Sequence, residues 1–307
     1  MRIVIAGGSG FLGQALSRRF LGDGHQIVVL GRHPERTGAP SHLRAVQWTP
    51  NGEAGTWARE LDGADAVVNL AGAGIADRRW TTARKKLLLD SRVLSTRSLV
   101  AALRSIRTKP SVFVQGSAVG FYGSFDNGPE LDERSSPGTD FLAGVCVAWE
   151  AEAQPAALLD TRLVVLRSGI SLSRSGGALA KMLPPFWFFV GGPIGSGRQY
   201  LSWIHLDDWV GLVAWAIANP AVSGPVNGCA PNPVPNREVA RAIGRAVHRP
   251  AMATVPAFVM KTMFGQLATD TLLRGQRVIP RRALDLGYRF RFPTIDQAMP
   301  AAVKPPL

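Results

Sequence analysis

Cysteine is scarce in this chain: Cys146 and Cys229 are the only two in 307 residues, far apart and outside any C-x-x-C or histidine-rich spacing. That excludes a disulfide framework and offers no zinc pattern, so a cytoplasmic protein without a bound metal is expected. Tyrosine is nearly as rare, with three residues, which leaves few phenols for acid/base work. Long apolar runs are missing as well. No stretch approaches the roughly 18 residues of a membrane span, because Pro184 to Ile194 is short and broken by prolines and glycines. The opening Met1-Arg2-Ile3-Val4-Ile5-Ala6 meets glycines after too few apolar residues to act as a secretory leader; no membrane partner is expected.

Acidic residues are outnumbered, 22 Asp and Glu against 35 Lys and Arg, for a net charge of +13. Such a balance admits polyanions as partners. The cations, however, are scattered through Arg18-Arg19, Arg78-Arg79, Arg84-Lys85-Lys86 and Arg281-Arg282. Without a long basic run or an aromatic-basic RNA motif, they argue against nucleic acid and for an anionic small-molecule partner. What the chain does have, 46% hydrophobic residues with 33 Gly and 22 Pro, is the composition of a folded protein with many tight turns.

The apolar runs are short and alternate with helical patterns. Arg2 to Ala6 reads as a buried strand, followed by glycines and then Phe11, Leu12, Ala15, Leu16 and Phe20 at helical spacing. Gln26 to Leu30, Asp65 to Leu70, Ser111 to Gly116 and Thr161 to Arg167 continue the strand series. Thr81 to Ile106 reads as one or two helices, and Leu206 to Ala218 and Asn236 to Val247 as two more. Strands alternating with helices predict an α/β Rossmann fold, a doubly wound parallel sheet with a smaller C-terminal substrate lobe. The dinucleotide-binding domain is expected over residues 1–170, with further Rossmann elements from about 200–230. Residues 171–307 then form mainly the substrate lobe, and a homodimer is left open.

The loop Gly7-Gly8-Ser9-Gly10-Phe11-Leu12-Gly13 carries the first chemistry. Gly7 allows a sharp exit from the strand, Gly10 lets the backbone approach a pyrophosphate, and Gly13 lets the helix pack closely on the sheet. The helix N-terminus then faces the anion. Cofactor contacts are expected from Gly7, Ser9, Gly10, Phe11, Leu12 and Gly13. At the end of the second strand, where an NAD site would hold Asp or Glu for the ribose hydroxyls, the chain has Gly31-Arg32-His33. A guanidinium there suits the 2′-phosphate of NADP(H), with Arg36 as a second cation.

Beyond this loop, Asn69-Leu70-Ala71-Gly72, Gly116-Ser117-Ala118-Val119-Gly120-Phe121-Tyr122-Gly123 and Trp203-Ile204-His205-Leu206-Asp207-Asp208 resemble motifs of the extended short-chain dehydrogenase/reductase superfamily. More narrowly, Arg79-Trp80, Asp90-Ser91-Arg92, Trp149-Glu150, Gly176-Gly177-Ala178-Leu179, Met182-Leu183-Pro184-Pro185-Phe186 and Gly275-Gln276-Arg277-Val278 resemble the SDR39U1-like, or YfcH-like, epimerase branch. The resemblance covers nearly the whole chain. It implies an NADP-binding protein of the NAD-dependent epimerase/dehydratase superfamily with a characteristic C-terminal extension. It also implies that Asn69, Leu70, Ala71 and Gly72 line the cofactor and that Ser117 is the catalytic serine. No substrate comes with it.

One departure stands out. The superfamily's Tyr and Lys, four residues apart, exchange and assist a proton at the substrate oxygen. Counting back from Glu150, their places fall on Leu142 and Cys146, or in the neighbouring register on Phe141 and Val145. Neither pair does acid/base work. Tyr122 is the nearest phenol and the leading substitute, with Cys146 and the His205–Asp207 pair behind it; Arg79, Trp80, Arg92 and Lys181 are candidates for substrate contacts. The expected function is an NADP(H)-dependent oxidoreductase or epimerase acting on a small polar carbonyl or hydroxyl substrate. The alternative is an NADP(H)-binding regulator or redox sensor without turnover.

Overall fold

The computed structural model describes residues 1–32 and 43–304. Seven strands form one sheet: β1 (Arg2–Ala6), β2 (Gln26–Gly31), β3 (Leu43–Gln47), β4 (Ala66–Asn69), β5 (Val112–Ala118), β6 (Arg162–Ser168) and β7 (Gly224–Gly228). Their spatial order is 7-6-5-4-1-2-3 with every neighbouring pair parallel. The order reverses between β1 and β4, the switch point at which open α/β sheets bind ligands.

Strand alternation explains how the helices cover both faces. Ile3 and Ile5 of β1 point to one side, into a core shared with Leu16 and Phe20 of α1 (Phe11–Gly22). Val4 and Ala6 point to the other, toward Leu99 and Leu103 of α2 (Thr82–Ser105). α2 is a single helix, started by the Thr81 hydroxyl, which accepts from the Arg84 amide at 3.1 Å. α3 (Phe141–Ala153) packs beside it.

A second core lies outside the sheet. Leu179, Leu183 and Phe186 of α4 (Gly177–Trp187) share this core with Val239 and Ile243 of α6 (Asn236–Val247) and with Trp203. Further along the chain come α7 (Ala257–Phe264), α8 (Arg281–Asp285) and α9 (Ile295–Ala302); α9 joins this second core through Ile295, Ala298 and Met299. Between the two cores the chain returns to the sheet. α5 (Leu206–Ala218) places Trp209, Leu212 and Val213 against α1's side, and β7 follows as an edge strand.

The return is pinned by the segment His205-Leu206-Asp207-Asp208. The His205 ring caps α5, Nδ1 accepting from the Asp207 amide at 3.1 Å. The Asp208 carboxylate accepts from the amides of Arg291 at 2.7 Å and Phe292 at 2.8 Å, and the Phe292 ring packs on His205 with centroids 4.2 Å apart. The motif therefore joins the C-terminal segment to the sheet domain, and the His205–Asp207 pair works at that junction.

A capping ring nitrogen must be unprotonated, and burial holds the His205 pKa below its ordinary value. Because the folded-state pKa is lowered, the cap's contribution is complete above roughly pH 6.5 and is lost as pH falls from there through the folded-state value. Urea unfolding at about pH 7.5 and about pH 5.5 should show a larger stability loss for the wild type than for His205→Asn, in which a neutral side chain keeps the cap.

Candidate functional site

The loop between β1 and α1 is shaped by close backbone approaches. Gly7 has φ +78, and a Cβ there would stand 2.8 Å from the Ala71 nitrogen and the Leu70 carbonyl carbon. The first turn of the chain thus rests directly on the segment leaving β4, whose Leu70 amide donates to Ala6 O at 2.8 Å. A Cβ on Gly13 would meet the Gly8 Cα at 2.5 Å and the Gly7 carbonyl at 2.6 Å, so the helix can begin this close to the strand only with glycine.

Gly10 is different. Its φ of −76 suits any residue, and a Cβ would meet only the Gly7 carbonyl, at 3.3 Å. A side chain here asks the Gly7 carbonyl to give by a few tenths of an ångström, far less than at Gly7 or Gly13, and the position is exposed at the cap of α1, where no side chain caps the helix and the first turn carries no acidic residue. Amides at this end are thereby left to an incoming anion.

Ser9 is exposed beside Gly31, its hydroxyl 3.9 Å from where a Gly31 Cβ would be, and Arg32 follows, also exposed. His33 and Arg36 lie outside the described residues. Phe11 is covered from the second core: Cβ atoms on Gly176 and Gly177 would stand 2.6 Å and 3.1 Å from its ring. Leu12 packs against the main core. This cradle fits a dinucleotide pyrophosphate, with Arg32 at the rim for a further phosphate.

Of the segment after β4, Asn69 turns inward. It is fully buried, its Nδ2 donating at 3.0 Å to both Thr96 and Gln115 while its Oδ1 accepts from the Ala71 amide at 3.1 Å. Its side chain holds the start of the segment from inside. Ala71 is partly exposed and Gly72 exposed, with the Arg92 guanidinium carbon 3.1 Å from a Gly72 Cβ. Arg92 also lies over the Trp149 ring, centroid distance 5.1 Å, and donates to the carbonyls of Ala73 and Leu88.

At the end of β5 a buried polar chain begins. Ser117, 5% exposed, donates to Glu150 Oε1 at 2.6 Å. Glu150 receives a two-pronged contact from Arg167, Nε at 2.9 Å and Nη2 at 2.8 Å. Arg167 stacks 3.4 Å from the Phe121 ring centroid and donates from Nη1 to the Tyr122 oxygen at 3.0 Å. Tyr122 donates to Asn227 Oδ1 at 2.7 Å, and Asn227 closes the chain by donating to the Ile279 carbonyl at 3.0 Å.

This geometry corrects the expectation for Tyr122. The phenol is 1% exposed, its proton is already given to Asn227, and burial pushes its pKa up to about 12. It braces β5, β6 and β7. Leu142 and Cys146 both face the Ser117–Tyr122 turn, 3.6 Å and 4.0 Å from a Gly120 Cβ, whereas Phe141 turns to Trp80 with ring centroids 5.2 Å apart. The Cys146 thiol is buried and pushed up to about 11, first by burial and then by Glu150, so it stays protonated.

Three comparisons place the chain among known proteins. A model of the NAD dependent epimerase/dehydratase family matches residues 3–167, and one of a domain of unknown function, DUF1731, matches residues 255–302. The "Epimerase family protein Mb2239" of Mycobacterium bovis is 41% identical over 305 residues, covering 99% of this chain and 98% of the relative. The chain belongs to the NAD dependent epimerase/dehydratase family. The chloroplastic SDR39U1 homolog of Arabidopsis thaliana is 38% identical, over 99% of this chain and 87% of its own. A crystal structure of human SDR39U1 (isoform 2) with NADPH superposes with a TM-score of 0.88 at 36% identity, covering 98% and 99% of the two chains.

In this epimerase-family protein the remaining polar candidates hold the loop that follows Gly72. Arg84 donates to the Gly74 carbonyl, the Trp80 indole to the Ile75 carbonyl at 2.9 Å, and Lys181 to the Ala76 carbonyl at 3.2 Å. Arg79 reaches Gly265, beyond α7. Residues 72–80 are thus gripped from both cores. Among the described residues no three His, Cys, Asp or Glu side chains gather as a metal-holding group.

Sequence reasoning missed Arg167 and Asn227. Arg167 was detectable as the one charge closing the apolar run Leu163-Val164-Val165-Leu166; Asn227 sits in an edge strand without a local signal. Removing one partner of a buried pair strands the other. Arg167→Met should therefore destabilise the protein by about 3–5 kcal/mol in urea unfolding, and Glu150→Gln with Arg167→Met together should cost less than the sum of the two single changes.

Proposed function

We propose that this protein binds NADP(H), with the pyrophosphate at the start of α1 and the 2′-phosphate at Arg32. In this reading it uses the cofactor as an oxidoreductase or epimerase on a small polar carbonyl or hydroxyl substrate. The uncapped, acid-free N-terminus of α1 at Gly10 carries the proposal, because packing demands a glycine there far less than at Gly7 or Gly13. The NADPH held by the human relative supports it.

The bound nicotinamide supplies hydride exchange. Everything else falls to the chain. Gly72 and Arg92 would line the cofactor's crevice, and the Gly176-Gly177 turn over Phe11 would help close it against water. With its own proton given to Glu150, the Ser117 oxygen offers a lone pair to a substrate hydroxyl. As that hydroxyl is oxidised its proton passes to Ser117 while the Ser117 proton moves to Glu150, and carbonyl reduction runs the same path backwards. Residence in the cytoplasm belongs to the same proposal, since Cys146 and Cys229 are both buried and unpaired.

A second reading, a cofactor-binding regulator without turnover, draws on Leu142 and the protonated Cys146, which stand where the superfamily's Tyr and Lys would fall and face the Ser117–Tyr122 turn. Turnover of any carbonyl with NADPH that is lost in Ser117→Ala decides for the enzyme.

Titration of cofactor-stripped protein should give NADPH affinity at least roughly tenfold above NADH, with Arg32→Ala bringing the two together. Equal wild-type affinities, or an unchanged preference in Arg32→Ala, would contradict the assignment. Gly10→Ala should keep the wild-type melting temperature within a few degrees yet weaken NADPH by roughly tenfold or more, whereas Gly13→Ala should lower the melting temperature itself.

A further inference from the structure

At the end of α4, away from the glycine loop, the chain leaves a run of apolar side chains in solvent. Phe188 is 75% exposed and Phe189 61%, flanked by exposed Trp187 and Val190. Phe189 is held at φ +62, a left-handed conformation that a bulky aromatic rarely adopts. The segment 251–255 runs alongside, its Ala253 amide donating to the Gly191 carbonyl, and adds Met252, 85% exposed. Exposed patches of this kind mark interaction surfaces.

Cations form its rim. The Arg249 guanidinium lies over the Phe189 ring at 4.8 Å and that of Arg174 over Trp187 at 5.7 Å. Next to Met252, the side chains of Arg241, Arg245, His248 and Arg249 line an open depression of about 570 Å³. The two stretches that build this face, residues 161–206 and 239–269, contain no Asp or Glu at all. Asp296, from α9, is paired with Arg245.

From this layout we infer that the Trp187–Val190 and Met252 face docks this protein peripherally on an anionic lipid surface, the apolar tips entering the headgroup boundary and the arginines meeting lipid phosphates. An apolar centre with basic residues at its edge is the arrangement by which surface-bound proteins add burial to electrostatic attraction. A second copy meeting through the same patch would bring one basic rim against another, a like-charge arrangement. Nucleic acid would need the cations at the centre, where Phe188, Val190 and Met252 stand instead. The absence of a span long and apolar enough to cross a membrane is compatible with docking from one side, which needs none.

Co-sedimentation with vesicles tests this on the full chain. Vesicles of phosphatidylcholine with about three-tenths phosphatidylglycerol should bind the wild type at least roughly tenfold better than phosphatidylcholine alone. The gain should shrink at high salt. Phe188→Ser with Val190→Ser, and separately Arg174→Glu with Arg249→Glu, should each weaken binding by roughly tenfold or more while the thermal transition and far-ultraviolet circular dichroism remain those of the wild type. Failure of the wild type to sediment with the anionic vesicles, or sedimentation unchanged in both folded double variants, would overturn the inference. So would a dimer in sedimentation velocity that Phe188→Ser with Val190→Ser dissolves without any vesicle binding, or DNA binding lost in the same variants in place of vesicle binding.

Discussion

The close approach of Gly7 to the peptide between Leu70 and Ala71 is the constraint on which the rest of the site depends. It presses the first loop of the chain against the segment leaving β4, at the switch point of the sheet. With the loop so placed, α1 starts directly after it, at the switch point and with no side chain capping its first turn. Asn69 reinforces the same contact from inside, holding the Ala71 amide with one end of its amide group and Thr96 and Gln115 with the other.

A second device locks the far half of the sheet. The pair formed by Glu150 and Arg167 ties α3 to β6, takes the Ser117 proton from β5, and reaches β7 through Tyr122 and Asn227. Burying such a pair costs desolvation that its attraction offsets only when nearly every polar atom is satisfied. Here the partners are arranged so that they are. The consequence for the site is specific: the Tyr122 phenol is tied up in the brace, the thiol facing the turn is protonated, and the Ser117 hydroxyl is aimed at Glu150.

How much of this was legible in the residues follows from burial. β1, β2 and β4 to β6 are covered on both faces, so each leaves a continuous apolar run that reads as a strand. The edge strands do not. β3 is half exposed with mixed polarity, and β7, Gly224-Pro225-Val226-Asn227-Gly228, tolerates a proline because it lies at the sheet edge. The glycine loop was readable because backbone geometry demands one residue type at fixed spacing. Tyr122 was misread because its partners, Arg167 and Asn227, are 45 and 105 residues away along the chain, and no local pattern encodes contacts of that range.

The most direct measurement is a crystal structure of the protein with NADPH bound. The account predicts the pyrophosphate oxygens against the amides at the start of α1, next to Gly10, with the 2′-phosphate in contact with Arg32 beside Ser9. A cofactor seated elsewhere, or one whose 2′-phosphate turns away from Arg32, would contradict it.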